Sequence, residues 1–433
     1  MGLSLRVRSM GLLIMLRGTI ALGTLRTSVV LALRLVVQAS TLLLVARMLG
    51  AEQFGAFAGA SALAVLMGAC STFGTHVVLL AGVAKDPWSR DRILPWAIPC
   101  TLVCGIVLFI AYLSISFAAF GAALLPFRAL LLIGFAEILL QPLFALMTSE
   151  HHALGRVARA QLLQLSPLGL RLMVALSVAV LGLADPFDAY VLGYTLASLV
   201  ALGLGAMMLP ARWPSWHNWR LPIKSEWREG FGYAAMNITK AGPAELDKTI
   251  SLKLLPPISA GVYAASARVV GAVTLPVAAM MLSALPRMFR EAGRPAGLVD
   301  LLVWMYAAAA CYSVALAAAV WVSSPLLEQL FGNEYLGIAD MVRWLCIAIP
   351  GMALRLVAGN TLMALGKPWM RVVFEVVGMA VLIFSAVGLV GRFGALGLPL
   401  AVAISEWLMT AVGTAMILFF RPKRVSRKVR YES

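Results

Sequence analysis

The chain has 433 residues, 61% of them hydrophobic and 12% charged, with 35 Lys+Arg against 19 Asp+Glu and a formal net charge of +16. A soluble domain of this length needs far more charge to stay dispersed, so the composition excludes an ordinary globular protein. A basic excess suggests nucleic acid in a soluble chain, but cytoplasmic loops of membrane proteins also collect Lys and Arg, and the placement of the bases decides between the two.

From the N-terminus, residues 1–26 read as a cytoplasmic basic arm. Arg17 interrupts its apolar run before Ala21-Leu22-Gly23, which argues against a signal peptide, and Arg6 stands where N-myristoylation of Gly2 needs Ser or Thr. Twelve membrane spans are then predicted, at 27–49, 54–81, 94–118, 122–147, 158–182, 187–210, 230–254, 259–285, 299–322, 337–365, 370–391 and 396–420. The stretch from Trp96 to Pro126 shows the pattern, with no Asp, Glu, Lys, Arg or His in it. Asp86-Pro87, Asp185-Pro186, Pro256-Pro257 and Gly366-Lys367-Pro368 punctuate the spans as turns. The expected organisation is a six-helix bundle over 27–210, a linker over 211–229, a second six-helix bundle over 230–420 and a basic tail over 421–433. Trp213, Trp216, Trp219 and Trp227 put the linker at the level of lipid headgroups.

The loops alternate in charge. One side carries Arg6 to Arg26, Lys85 with Arg90 and Arg92, Arg156 with Arg159, and the linker bases Arg212, Arg220, Lys224 and Arg228. It continues with Arg287, Arg290 and Arg294, then Lys367 with Arg371, and the tail; the other side holds Lys253, Arg392 and several acids. Both termini are therefore expected in the cytoplasm, the span number is even, and nucleic acid is not needed as a partner. A shift of 206 residues aligns Arg34 with Lys240, Arg47 with Lys253, Gly55 with Gly261 and Phe57 with Tyr263. Six spans per half give both halves one orientation, so the expected fold is an all-α polytopic membrane protein of about 12 transmembrane helices. Its two six-helix bundles are expected to be related by a pseudo-two-fold along the membrane normal.

Charges inside the spans carry the functional reading, since a cation at the bilayer centre costs at least about 2.5–3.5 kcal/mol. Thr27, Arg34, Gln38 and Thr41 share one face of the first span, and Asn237, Lys240, Asp247, Lys248 and Ser251 share one of the seventh. Such stripes are expected to face water, with Arg171 and Arg355 as further candidates. The plainer alternatives are that Arg47 and Arg128 snorkel from span ends, that Asp247 neutralises Lys248 or Arg268, and that Asp340 pairs with Arg343. A cationic cavity suits an anionic cargo, and export of an anion from a negative cytoplasm is electrically downhill. Among Glu137, Glu245, Asp247, Asp340, Glu375 and Glu406, Asp247 is singled out as the ion-coupling site. Cys70, Cys100, Cys104, Cys311 and Cys346 lie in apolar runs, and neither they nor the histidines show metal-ligand spacing, so no metal or cofactor is expected.

The stretch Ala46-Arg47-Met48-Leu49-Gly50-Ala51-Glu52-Gln53-Phe54-Gly55 resembles the "R-x-L-G-x-x-x-F-G" signature of bacterial polysaccharide flippases. Glu245-Leu246-Asp247-Lys248-Thr249-Ile250, Ala260 to Ser266, Leu330-Phe331-Gly332-Asn333-Glu334-Tyr335 and Leu362 to Lys367 match further patterns of that family, in order, over nearly the whole chain after residue 26. The chain thus resembles a Wzx-type O-antigen or exopolysaccharide flippase of the multidrug/oligosaccharidyl-lipid/polysaccharide exporter superfamily. The resemblance implies alternating access through a central cavity in the bacterial inner membrane. It also implies translocation of undecaprenyl-pyrophosphate-linked oligosaccharide to the periplasmic leaflet, for lipopolysaccharide, capsule or exopolysaccharide. Membrane lipid, an H+ or Na+ counter-ion, a polysaccharide polymerase and a chain-length regulator are the implied partners. Arg34, Lys240 and Lys248 are then expected to meet pyrophosphate, and Gln38, Thr41, Asn237 and Ser251 the sugar hydroxyls. The nearest rival is a cation-coupled multidrug exporter of the same superfamily, whose cationic cargo a basic cavity repels. A membrane polysaccharide polymerase or glycosyltransferase is expected to need a sizeable external loop, and a passive scaffold leaves the polar stripes unexplained.

Overall fold

The computed structural model describes residues 19–420 except 279, 282–283, 285–287 and 289–294, with backbone alone at 19–29, 31, 120–124, 157, 240 and 295–298. The basic tail, most of the N-terminal arm and the Arg287, Arg290 and Arg294 loop lie outside the described residues. Those residues form helices and turns, with no strand among them.

In chain order the helices are α1 (Thr19–Ser71), α2 (Thr75–Lys85), α3 (Arg90–Leu124), α4 (Phe127–Gly134), α5 (Gln141–Ala153), α6 (Val157–Leu181) and α7 (Pro186–Met207). They continue as α8 (Lys224–Leu254), α9 (Pro257–Val273), α10 (Pro295–Phe331), α11 (Ile338–Cys346), α12 (Ala348–Ala364), α13 (Pro368–Phe393) and α14 (Gly397–Phe420). A π-helical turn over Phe135–Leu140 joins α4 to α5. Eight helical stretches among the described residues are long and apolar enough to cross a membrane, and α11 with α12, bent by 43°, make a ninth. Two of the eight, Ala32–Ser71 (40 residues) and Pro368–Phe420 (53 residues), are each twice a bilayer core and each contain a break. With α8, long enough but rich in charge, the chain is an all-α multi-pass membrane protein of about 12 spans.

The breaks have local causes. α1 is interrupted at Gly50, whose φ of 71° a side chain rarely adopts, and the Glu334 carboxylate accepts from Ala51 N–H at 3.3 Å just beyond it. The predicted span 54–81 is not continuous: it turns at 72–74, where Phe73 takes a φ of 47° and lays its ring 4.8 Å from Trp227. The bend between α11 and α12 is held by Trp407, whose indole N–H donates to the Ile347 carbonyl at 3.0 Å.

Proline within a helix releases the carbonyl four residues earlier, and here the freed groups find donors. Ser166 Oγ–H donates to Leu163 O at 2.8 Å ahead of Pro167, and Ser324 Oγ–H to Trp321 O at 2.8 Å ahead of Pro325. The Pro95 carbonyl, released by Pro99, accepts the backbone N–H of Arg220 at 3.0 Å, which stitches the linker onto α3.

The chain divides into two compact units, residues 1–48 with 67–234, and residues 49–66 with 235–433. Relative to halves at 27–210 and 230–420, this division assigns 49–66 to the second unit and 211–234 to the first. In the first unit α2, α3 and α5 pack together and α6 packs on α7. In the second, α14 packs against both α12 and α13. The segments matched by the 206-residue shift also meet inside this unit, where a Cβ at Gly55 is only 2.5 Å from Gly261 N and one at Gly261 collides with the Ala51 carbonyl. Phe54 packs edge-on to Tyr335 at 6.4 Å, so three of the motifs that carried the family resemblance form one structural cluster.

Candidate functional site

Each unit carries polar side chains on its membrane-spanning helices. In the first, α1 carries Arg34, Gln38 and Thr41 on one face. Arg34 is exposed and forms no ion pair with a described residue; Gln38 and Thr41 are half-buried, and the Thr41 hydroxyl donates to Val37 O at 2.7 Å. Arg171, on α6, stands apart from that face. Its guanidinium donates to Glu137 at 2.7 Å and to Ser198 Oγ at 2.9 Å, and stacks 3.7 Å from the Tyr194 ring centre. Tyr194 O–H donates to the same Glu137 oxygen. Glu137 sits in the π-helical turn, so this one buried carboxylate ties that turn to α6 and α7.

In the second unit, Asp247, Lys248 and Ser251 are buried on α8. The Asp247 carboxylate accepts from Tyr263 O–H at 2.7 Å and from Lys248 N–H at 2.8 Å. The Lys248 ammonium donates to the Ala244 carbonyl and to Glu245 at 3.3 Å, and lies 3.7 Å from Asp247. Ser251 donates to Lys248 O at 2.7 Å. Asn237 is half-buried, and the Lys240 side chain lies outside the described atoms. Arg355, on α12, donates to Glu406 of α14 at 2.6 Å and lies 3.6 Å from Glu375 of α13. Glu375 also accepts from Arg371 at 3.0 Å, while its second oxygen is buried without a partner among the described residues.

The expected cations therefore fall into two classes. Arg171, Lys248 and Arg355 each hold a carboxylate, whereas Arg34 does not. Of the simpler pairings, Asp340 and Arg343 meet at 3.0 Å and Asp247 takes Lys248, while Arg268 lies 5.4 Å over the Phe54 ring. The tyrosines at 194 and 263 and the clasp of Arg355 by both Glu375 and Glu406 were not readable from the sequence. Their members lie 16 to 57 residues apart and share no helix face. No group of three potential metal ligands occurs among the described residues.

No family model and no curated protein matches the chain by sequence. Solved structures do match in fold. An inward-facing multidrug resistance MATE family transporter of the MOP superfamily superposes with a TM-score of 0.71 at 15% identity, covering 89% of this chain and 95% of its own. The lipid II flippase MurJ in an inward closed conformation gives 0.70 at 11% identity, with 90% and 87% covered. The multidrug transporter DinF-BH in complex with R6G gives 0.64 at 18% identity, with 90% and 92% covered. The fold is that of the MOP-superfamily transporters.

Proposed function

We propose that the chain is a MOP-type transporter that flips undecaprenyl-pyrophosphate-linked oligosaccharide from the cytoplasmic to the periplasmic leaflet of a bacterial inner membrane, for polysaccharide biosynthesis. The observation that carries this reading is Arg34, an exposed cation within the first span with no carboxylate among the described residues beside it. A cation at that depth needs water or an anion, and a guanidinium fork matches the oxygens of a pyrophosphate. Gln38 and Thr41 follow it on the same helix face and are assigned to the sugar hydroxyls. The likeness to a structure titled lipid II flippase supports a lipid-linked cargo. Both termini cytoplasmic, as the loop charges suggest, puts the basic loops on the side where such lipids are made.

Coupling is assigned to the second unit. Asp247, Glu245, Glu375 and Glu406 stand against Lys248, Arg355 and Arg371, so the cluster carries more acid than base and suits an inward-moving H+ or Na+. Lys240, Lys248, Asn237 and Ser251 remain proposed cargo contacts on α8, and Arg171 and Arg355 enter through their carboxylate partners.

The test is purified protein in vesicles with a labelled lipid-linked oligosaccharide. Arg34→Ala is expected to lower flipping at least about tenfold with normal protein yield, a loss of roughly 1.4 kcal/mol or more in the transport barrier. Asp247→Asn is expected to flatten the pH dependence of the rate. Wild-type flipping by Arg34→Ala overturns the cargo assignment. Dye export without movement of the labelled lipid favours the multidrug reading instead.

A further inference from the structure

Polar side chains also converge outside the two constellations, in the first unit. A pocket of about 580 Å³ opens between the end of α2, the start of α3 and the linker with the first turns of α8, all within the first unit. None of the proposed transport residues lines it. Its charges are unevenly engaged. Arg220 is occupied, donating through two nitrogens to Glu226 at 2.8 and 2.6 Å. Arg92 makes a loose, solvent-facing pair with Asp86 at 3.3 Å, and the exposed Asp91 carboxylate accepts from Arg90 at 3.0 Å. Glu229 forms no ion pair among the described residues. The Ser89 hydroxyl, 6% exposed and lining the pocket, has no hydrogen-bond partner there. A buried hydroxyl without a partner is costly, so its vacant valence points to a bound group.

Exposed apolar side chains next in sequence to the lining residues set the depth. Trp88 precedes Ser89 and is 83% exposed, Leu221 follows Arg220 and is 80% exposed, and such side chains belong where lipid headgroups meet water. A ligand at this level must therefore offer an anion to Arg92 and Ser89 and a cation to Glu229 and Asp91 at once. We propose that this pocket binds the phosphoethanolamine headgroup of a membrane lipid, with the phosphate on Arg92 and Ser89 and the primary ammonium on Glu229 and Asp91. The ammonium has N–H donors for both carboxylates; a choline group has none, so the pocket selects against it.

The test uses the full chain reconstituted in nanodiscs of phosphatidylcholine alone or with phosphatidylethanolamine, its mono- and dimethyl derivatives, or phosphatidylglycerol. Thermal unfolding and native mass spectrometry supply the readouts. Phosphatidylethanolamine is expected to raise Tm by about 3 °C over phosphatidylcholine and to be retained as one adduct, with the gain shrinking at each methylation. Glu229→Gln and Ser89→Ala should lose that gain while matching wild type in detergent. Should either variant fail to fold, the methylation series on the wild type decides alone. Equal Tm in all lipids overturns the proposal, and so does preferential retention of phosphatidylglycerol. A full effect from soluble glycerophosphoethanolamine in phosphatidylcholine discs overturns the lipid as its source. Because neither readout involves transport, failure here leaves the flippase reading standing.

Discussion

Around Arg171 in the first unit the buried charge is one matched pair, and around Arg355 in the second it is a network of two guanidiniums and two carboxylates. Around Arg171, one carboxylate receives a guanidinium and a phenol, and Ser198 takes the remaining bond of the same nitrogen. Around Arg355, two carboxylates share the guanidinium, Arg371 supports one of them, and a Glu375 oxygen is left without a partner among the described residues. The atom left over in the first network is a donor, Arg171 Nε, so the pair can pin helices together but offers no place for a cation. The atom left over in the second is a carboxylate oxygen, which has room for a proton or a cation. Buried charge therefore does not imply a single role; what separates the two networks is whether the atom left over donates or accepts.

The largest effect should come from breaking the matched pair. Arg171→Ala leaves Glu137 buried and charged and is expected to cost about 3–5 kcal/mol in denaturant unfolding in micelles. Adding Glu137→Leu should recover much of that loss, since the orphaned charge goes with it. A small effect of Arg171→Ala alone would show that the network is not a pin. In the second unit, Gly261→Ala should cost about 1–3 kcal/mol, because its Cβ has no space beside the Ala51 carbonyl. Retained stability there would mean that this crossing yields more readily than the Arg171 tie.

Ser166→Ala and Ser324→Ala test a device that the two units share. Each removes the hydroxyl bonded to a proline-released carbonyl and is expected to cost about 0.5–1.5 kcal/mol, with similar values in both units. Unequal values would mean that one helix has another way to satisfy its carbonyl.

The smallest effect lies at the surface, where the Arg220 guanidinium holds the Glu226 carboxyl below the ordinary carboxylate range. A lowered value means that the pair stabilises the linker above the ordinary range near pH ~4.3 and loses that contribution as pH falls through the lowered value. Hydrogen exchange of residues 218–226 should rise in acid in the wild type and vary less with pH in Glu226→Gln. An unchanged acid response in that variant would separate the linker from this pair.

Much of the fold was legible because bilayer thickness sets span length. The proposed equivalence of Gly55 and Gly261 came from the sequence as an alignment; that the two touch did not, because a shift in register carries no distance. Thr41 and Ser251 share helix faces with neighbouring charged residues, yet their hydroxyls bond their own backbones. Helix-face arithmetic finds which way a residue leans and not what it grasps. The carboxylates that clasp Arg171 and Arg355 come from other helices at long sequence separations, where periodicity has no reach.

The bond from the Arg220 amide to the Pro95 carbonyl bears on where this protein can be altered. With Arg90 donating to Glu150 at 2.5 Å and to the Ala211 carbonyl at 2.8 Å, and Trp213 donating to Glu150 at 3.1 Å, the segment joining α7 to α8 is fastened along its length. It is a poor place for a protease site, an epitope or a fluorescent label, however hydrophilic it looks. The exposed turn at 182–185, where Gly182 has open space around it, is the better place to put one.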